Sequence, residues 1–175
     1  RRHIQDRDVD RLCDVLQTRM NLEMAATAEM LAIASRVRPA DCCLVPEKRE
    51  ELTTEGGLDA SANISYLREY CAELATAGVR VSLFIDADPH QIEAAVDIGA
   101  PVVEIHTGHY AEAKSPAAVR DALARITDAV AHGQQAGLQV NAGHGLDYHN
   151  IRAVAATEGI LEFNIGHSII SRAVF

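Results

Sequence analysis

The sequence predicts an α/β fold in which parallel strands deliver polar side chains to one common rim. Strand-like and helix-like segments alternate along the whole chain, and four of the strand-like segments end in tight clusters of Glu, His, Asn and Gly. In an α/β barrel the carboxyl ends of the strands meet at a single rim, which holds the active site. The four clusters are residues 20–23, 102–108, 140–145 and 163–167.

Composition supports one well-packed domain over residues 1–175, because 48% of the residues are hydrophobic. The net charge of −9 offers no basic field to nucleic acid or to an anionic membrane. No run approaches the roughly 18 apolar residues of a membrane helix, and the first residues do not resemble a signal peptide. The cysteines fit no zinc motif, so we expect reduced thiols in a cytoplasmic protein. They are Cys13, Cys42, Cys43 and Cys71.

Helix caps and stops delimit the elements in the first half of the chain. Thr27 is a suitable N-cap, Pro39 ends the helix that follows it, and Gly78 ends the next one. A polar loop of about a dozen residues is long for a βα connection. In order, we predict a helix over 6–17, a strand over 19–24, a helix from 27 to before 39, a strand over 42–45, the loop over 46–57, a helix from 61 to 78 and a strand over 79–85.

The second half repeats one device, an N-cap followed by proline at the first helical position, at Asp88-Pro89 and at Ser115-Pro116. Glycine ends both of these helices, at Gly99 and near Gly137. The predicted strands lie at 101–106, 138–142 and 160–165, with helices over 150–156 and from 167 onward.

Six strands, each followed by a helix, are predicted in all, and nearly all of them read as apolar on both faces. A closed TIM (β/α)8 barrel needs eight such units and typically about 250 residues. We therefore expect an incomplete barrel, holding about six of the eight units (strands 3 to 8) and lacking the last helix. An open doubly wound sheet is the alternative, but no G-x-G-x-x-G follows any strand.

The strand ends supply candidates for acid–base chemistry. Glu23 ends an apolar strand, where a carboxylate is either structurally paired or ready for proton transfer. Glu104 and His106 point to the same face of one strand, and burying a Glu against helices would be costly, so we favour the barrel interior. His144 lies between two glycines and suits a general acid or base, or else is a turn histidine.

Two loops are candidates for substrate contacts. Gly166 and His167 join the last strand to a helix start, whose free N–H groups can bind an anion, although an ordinary βα turn has the same pattern. The loop 47–57 is either a lid or a solvated surface segment. No metal-binding motif appears in the sequence, so no metal is predicted.

Several runs together resemble the pyridoxine 5'-phosphate synthase family, in order and over essentially the whole chain. They are RMNLEM, CCLVPEKREELTTEGGLD, VSLFIDAD, EIHTG, VNAGHGLDYHN and NIGHSII. The resemblance implies a cytosolic TIM barrel with extra helices, assembled as a homo-octamer. It also implies condensation of 3-amino-2-oxopropyl phosphate with 1-deoxy-D-xylulose 5-phosphate to pyridoxine 5'-phosphate, phosphate and water, without metal or organic cofactor.

The resemblance also implies roles for individual residues. Glu23 matches the acid/base glutamate, His144 the proton-donating histidine and Glu104 the glutamate that stabilises the transition state. The remaining matches are substrate contacts: Gly145 to the aminoketone phosphate, Gly166 and His167 to phosphate, and Thr53 and His3 to the deoxyxylulose phosphate.

The family's first two strand motifs, V-N-I-D-H and V-H-L-R-E-D, do not occur in the sequence. They hold another catalytic histidine, an arginine and a substrate-binding asparagine, so we expect this polypeptide alone to be inactive or nearly so. The sequence leaves two alternatives: a metal-dependent lyase or hydrolase that uses Glu23, His106, His144 and His167, and a non-catalytic binding module of barrel shape.

Overall fold

Six parallel strands form one continuous sheet, in the order in which they occur along the chain. The structure is a computed structural model, and it describes residues 4–47, 51, 53 and 56–174. The strands are β1 (Asn21–Met24), β2 (Asp41–Leu44), β3 (Arg80–Ile85), β4 (Val102–His106), β5 (Gln139–Gly143) and β6 (Ile160–Asn164). All six predicted strands are present, each within one or two residues of its expected ends.

Helices connect the strands and cover one face of the sheet. Thr27, Asp88 and Ser115 cap helices as predicted, each accepting a hydrogen bond from a backbone N–H in the first turn. The helices are α1 (Asp6–Val15), α2 (Ala28–Val37), α3 (Ile64–Thr76), α4 (Pro89–Ile98), α5 (Gly108–Glu112), α6 (Pro116–Gln135), α7 (Ile151–Ala155) and α8 (His167–Val174).

The hydrophobic core lies between the sheet and these helices. Leu44, Leu83, Val103 and Ile105 alternate with inward-facing residues along their strands and are completely buried against the helices. Burying each such side chain contributes about 1.5–3 kcal/mol. The core therefore depends on one face of the sheet only.

The other face of the sheet is concave and polar, so the prediction that nearly all strands are apolar on both faces was wrong. Glu23, Ser82, Glu104, Asn141 and Asn164 lie on it, at alternate positions of the strands. No helix covers this face among the described elements. Most of its described polar groups bond to each other or meet solvent, whereas Oδ1 of Asn21 on β1 is buried without a hydrogen-bond partner.

Hydrogen bonds that skip a strand show how strongly the sheet curls. Arg80 on β3 donates to the side chain of Gln139 on β5 at 2.8 Å, and Asn164 on β6 donates to Glu104 on β4 at 2.6 Å. Adjacent strands lie about 4.8 Å apart, so such contacts need both side chains to converge over the intervening strand. The sheet is thus a curled parallel half-barrel, in agreement with the predicted α/β class.

Three local features differ from the sequence-based expectation. The short helix α5, directly after β4, was not predicted, because five residues give too little periodicity to detect. The segment that was expected to open a helix at Ser61 is a 3-10 turn over Ser61–Asn63, and the α-helix starts at Ile64. α1 ends at Val15, two residues before the predicted end at 17, and Val9 is its one buried residue.

None of the helices within the described residues is long and apolar enough to cross a membrane.

Candidate active site

The ends of all six strands open onto one cleft of about 750 Å³ at the carboxyl edge of the sheet. Six of the eight predicted site residues line it, namely Glu23, Glu104, His144, Gly145, Gly166 and His167. They come from β1, β4 and the segments that follow β5 and β6. The structure therefore brings these residues together, while their chemical roles stay predictions.

Glu104 forms the buried floor of the cleft. It is only 3% exposed, and its Oε2 accepts hydrogen bonds from Asn164 Nδ2 at 2.6 Å and from the Cys43 thiol at 3.5 Å. Burial raises the pKa of Glu104 to about 7, with a further rise from the nearby Glu23, although the hydrogen bond from Asn164 opposes it. A carboxyl that titrates near neutrality can give or take a proton at physiological pH.

Glu23 lies at the exposed end of β1 and lines the same cleft as Glu104. The two carboxyl groups thus differ in environment, one solvated and one buried. Two carboxyl groups in such different environments are typical of acid–base sites.

His144 is held in a left-handed backbone conformation, with φ at +79°. Outside glycine this conformation is uncommon and costs free energy, so surrounding contacts must enforce it. The buried Thr107 supplies them: its N–H donates to the Gly143 carbonyl at 2.8 Å, and its hydroxyl lies 2.5 Å from the His144 carbonyl oxygen. His144 therefore sits in a sharp bend of the backbone, and its side chain lines the cleft.

The ring of His144 is partly buried and lies beside the ring of His106. Burial lowers the pKa of His144, and the imidazole of His106 lowers it further, whereas Glu112 and Glu23 act in the opposite direction. His144 is therefore mostly neutral at physiological pH. A neutral imidazole can accept a proton first and donate it in a later step.

A buried acid–imidazole pair lies behind His144. His106 Nδ1 is 3.2 Å from Asp86 Oδ1, and both side chains are under 10% exposed. The His106 ring stands 4.9 Å from the His144 ring and 5.0 Å, edge-on, from the ring of Phe84. The expectation that Glu104 and His106 share the inner face is therefore confirmed.

Thr53 is placed beside this pair and does not line the cleft. Its hydroxyl donates to the carboxylate of Asp86, and its backbone N–H donates to the Gly57 carbonyl at 2.9 Å. The described part of the loop 46–57 is thus tied to the end of β3. His3, the other predicted contact to the deoxyxylulose phosphate, lies outside the described residues.

The start of α8 forms the opposite wall of the cleft. A side chain added at Gly166 would meet no atom within 4 Å, so the backbone is open to a ligand there. The Ser168 hydroxyl donates to the Leu146 carbonyl at 3.0 Å, and Arg172 lies 4.4 Å from the centre of the Tyr148 ring. These contacts join α8 to the segment that carries His144 and Gly145.

Sequence reasoning missed Asp86 and did not assign a role to Asn164. Asp86 directly follows the apolar strand β3, just as Glu23 lies at the end of β1. Selecting polar residues at strand ends as site candidates would therefore have included Asp86. Asn164 belongs to the strand-end cluster 163–167, but its hydrogen-bond partner Glu104 is 60 residues away, and sequence spacing cannot predict that pairing. No group of three or more His, Cys, Asp or Glu within the described part of the chain has metal-binding geometry.

Solved structures resemble this chain in fold alone. A xylose isomerase domain protein from Planctomyces limnophilus matches with a TM-score of 0.57 and 12% identity, over 90% of this chain and 71% of its own. The FimX EAL domain from Xanthomonas citri, solved in complex with c-diGMP, matches with a TM-score of 0.59 and 10% identity, over 87% and 62% of the two chains. Such low identities carry no argument about chemistry.

The fold and the cleft together define an α/β enzyme with acid–base groups at the carboxyl ends of parallel strands. The sequence comparison is more specific. The family model "Pyridoxal phosphate biosynthesis protein PdxJ" matches residues 1–175. A pyridoxine 5'-phosphate synthase from Alcanivorax borkumensis is 61% identical over 173 residues, which is 99% of this chain and 71% of that protein. The chain belongs to this family and is a biosynthetic enzyme of the vitamin B6 route, as the resemblance implied.

Proposed function

We propose that the protein expressed from the whole gene condenses 3-amino-2-oxopropyl phosphate with 1-deoxy-D-xylulose 5-phosphate, giving pyridoxine 5'-phosphate, phosphate and water, and that this chain supplies the cleft described above. The observation that carries the proposal is the single cleft in which Glu23, Glu104 and His144 face the start of α8. Ring closure between an amine and a ketone needs repeated proton transfer at nitrogen and oxygen. Glu23, Glu104 and His144 are three groups that can transfer protons, and they share the cleft with the accessible backbone at Gly166.

Glu104 is proposed to stabilise cationic intermediates. A positive charge on an intermediate above the Glu104 carboxyl favours the ionised form of that carboxyl and so lowers its raised pKa. The attraction between the two charges then stabilises the intermediate. Glu23 is proposed as the solvated acid–base group that exchanges protons with the substrate. Its position at the cleft edge supports this assignment.

His144 is proposed to donate a proton to the leaving oxygen. It starts neutral, so it must first take a proton from the substrate amine or from an adjacent acid. The negative charge of a bound phosphate raises the pKa of an imidazole, which favours that uptake. Gly145, Gly166 and His167 are proposed phosphate contacts, since the backbone around Gly166 is unobstructed at the start of α8. Thr53 and His3 are proposed contacts to the second substrate.

We further propose that β1 to β6 correspond to strands 3 to 8 of an eight-stranded barrel within one domain. The curl of the sheet and the greater length of the Alcanivorax borkumensis relative support a barrel of more than six strands, and the family resemblance, whose first two strand motifs do not occur in the sequence, supports the numbering. A homo-octamer in the cytoplasm is proposed on the family resemblance.

The experiment is an assay of the protein expressed from its whole gene, with both substrates, following pyridoxine 5'-phosphate by mass spectrometry and released phosphate by colorimetry. Glu23→Gln and His144→Ala are each expected to lower turnover by at least about 100-fold with the circular dichroism spectrum retained. Asp97→Asn, an exposed carboxylate on α4, is the matched control. Wild-type protein that converts neither substrate refutes the proposal.

A further inference from the structure

The proposed function leaves Asp86 and His106 without a role, although both are buried at the edge of the cleft. Buried ionisable side chains are costly unless they are paired, and these two are paired with each other. Asp86 is 3% exposed, yet it makes more polar contacts than structural pairing with one imidazole requires. This excess of contacts points to a role as an organising residue.

The carboxylate of Asp86 accepts hydrogen bonds from three directions. Oδ1 accepts from the Gly57 N–H at 3.1 Å and lies 3.2 Å from His106 Nδ1, while Oδ2 accepts from the Thr53 hydroxyl. Burial by itself raises the pKa of Asp86, but the hydrogen bonds from His106 and Thr53 outweigh it, so that its pKa lies below the usual 3.8. The carboxylate is therefore ionised and acts only as an acceptor.

An acceptor at this position determines the tautomer of His106. A neutral imidazole carries one proton, and the carboxylate requires that proton to be on Nδ1. The lone pair is then on Nε2, the ring atom that lies toward Gly108 and the His144 side of the cleft. Free histidine prefers the opposite arrangement, so the protein must enforce this one.

The space around the two imidazoles leaves little freedom for reorientation. A side chain added at Gly108 would lie 2.6 Å from His106 Nε2 and 3.3 Å from His144 Cδ2, which shows how closely the backbone approaches both rings. Phe84 packs edge-on against the His106 ring, and its ring centre lies 6.1 Å from that of His144, so the three rings form one cluster. The position of the His144 ring therefore depends on the position of the His106 ring.

We propose that Asp86 is a positioning residue: it fixes the tautomer and the orientation of His106 against His144, and with its second oxygen it holds Thr53 of the loop at the same place. The inference rests on the proposed function for the chemical role of His144. The new element is that the Asp86 carboxylate positions both His144, through His106, and Thr53, a predicted substrate contact. Asp86 itself touches no substrate.

The first test is independent of activity. Long-range ¹⁵N–¹H NMR of protein labelled at histidine identifies which ring nitrogen of His106 carries the proton. We expect the Nδ1–H form in the wild type and the Nε2–H form in Asp86→Ala. An Nε2–H form in the wild type, or a tautomer that is unchanged in Asp86→Ala, overturns the proposal whether or not the condensation assay succeeds.

A second variant covers the case in which Asp86→Ala does not fold. His106→Asn keeps an amide N–H that can donate to Asp86 but removes the ring beside His144. Burial lowers the pKa of His144, and the adjacent His106 ring contributes to that burial, so this variant is expected to raise the pKa of His144, while Glu112→Gln, on α5, is expected to lower it. Glu23 faces the same ring from β1 and stays unchanged in both proteins. An unchanged pKa of His144 in His106→Asn contradicts the proposed contact between the rings.

Kinetics separate positioning from simple destabilisation. Asp86→Ala is expected to lower kcat about 100-fold, because a displacement of about 1 Å at a reacting group has an effect of that size. Asp86→Asn, which keeps one acceptor oxygen, is expected to recover part of the loss. Asp88→Asn, in the same loop and still a good N-cap, is the control with wild-type rates. Equal rates for Asp86→Ala and Asp88→Asn refute the positioning role.

Discussion

The side chain of Asn164 donates a hydrogen bond of 2.6 Å to Glu104, from β6 to β4 and across β5. This contact exists only because the sheet curls. It places the amide group of Asn164 against a carboxyl group whose pKa is raised by burial. Asn164 thereby moderates the pKa of Glu104. The curvature of the sheet thus influences the pKa of the buried carboxyl group at the floor of the cleft.

Replacing Glu104 by Gln is expected to change the pH dependence of stability. The pKa of Glu104 is raised from 4.5 to about 7 in the folded protein, so its contribution to stability is complete below pH 4.5 and is lost as the pH rises through 7. The shift corresponds to a loss on the order of 3 kcal/mol. Urea unfolding of both proteins at pH 4.5 and pH 8 measures the effect.

Glu104→Gln should therefore gain stability over the wild type between these pH values, with no change in the slope of the urea transition. A difference between the two proteins that does not vary with pH contradicts the raised pKa.

Removing the amide of Asn164 is expected to raise the pKa of Glu104 further. In Asn164→Leu the buried carboxyl loses a hydrogen bond that stabilises its charged form, so ionisation requires a higher pH. The limb of the pH–rate profile that reports Glu104 should move to higher pH by about one unit. Profiles that coincide for the two proteins show that Asn164 does not set this pKa.

A methyl group at Gly143 is expected to disturb the floor of the cleft. It would clash with the carboxylate of Glu104 and lie 2.9 Å from the carbonyl oxygen of Asn164. Such overpacking costs about 1–3 kcal/mol. Thermal unfolding of Gly143→Ala should show a clear decrease in Tm.

Gly166→Ala is the matched control for that variant, because the added methyl group meets nothing within 4 Å. Its Tm should equal that of the wild type. Its KM for the phosphorylated substrates should rise if the backbone at Gly166 contacts phosphate as proposed. A lowered Tm in Gly166→Ala and none in Gly143→Ala would contradict the packing of the cleft.

The four cysteines are expected to differ sharply in reactivity. Cys13 is exposed, whereas burial raises the pKa of Cys42 and of Cys71 to about 12 and raises that of Cys43 well above its usual value. An aromatic disulfide reagent should titrate one thiol rapidly in the native protein and four in denaturant. Cys13→Ser should show no rapid thiol; a rapid thiol in that variant means that a buried cysteine is accessible.

The order of elements follows from local rules, which is why the sequence predicted all six strands. The caps at Thr27, Asp88 and Ser115 depend on a side chain and a backbone N–H within three residues, so sequence contains all that they need. The strand-end clusters likewise placed Glu23, Glu104 and His144 near one rim, because parallel strands must end together. Family resemblance then supplied their roles, which physical reasoning alone left open.

What sequence determined by itself was therefore the alternation of strands and helices, the rim at which the chemistry lies and the family. Tertiary structure alone decided that the inner face of the sheet is polar, that Glu104 meets Asn164, and that Asp86 faces His106. These pairings join residues 60 and 20 positions apart. Hydrophobic periodicity records which residues alternate along a strand, but it contains no information about sheet curvature, and curvature is what brings distant polar groups within hydrogen-bonding distance.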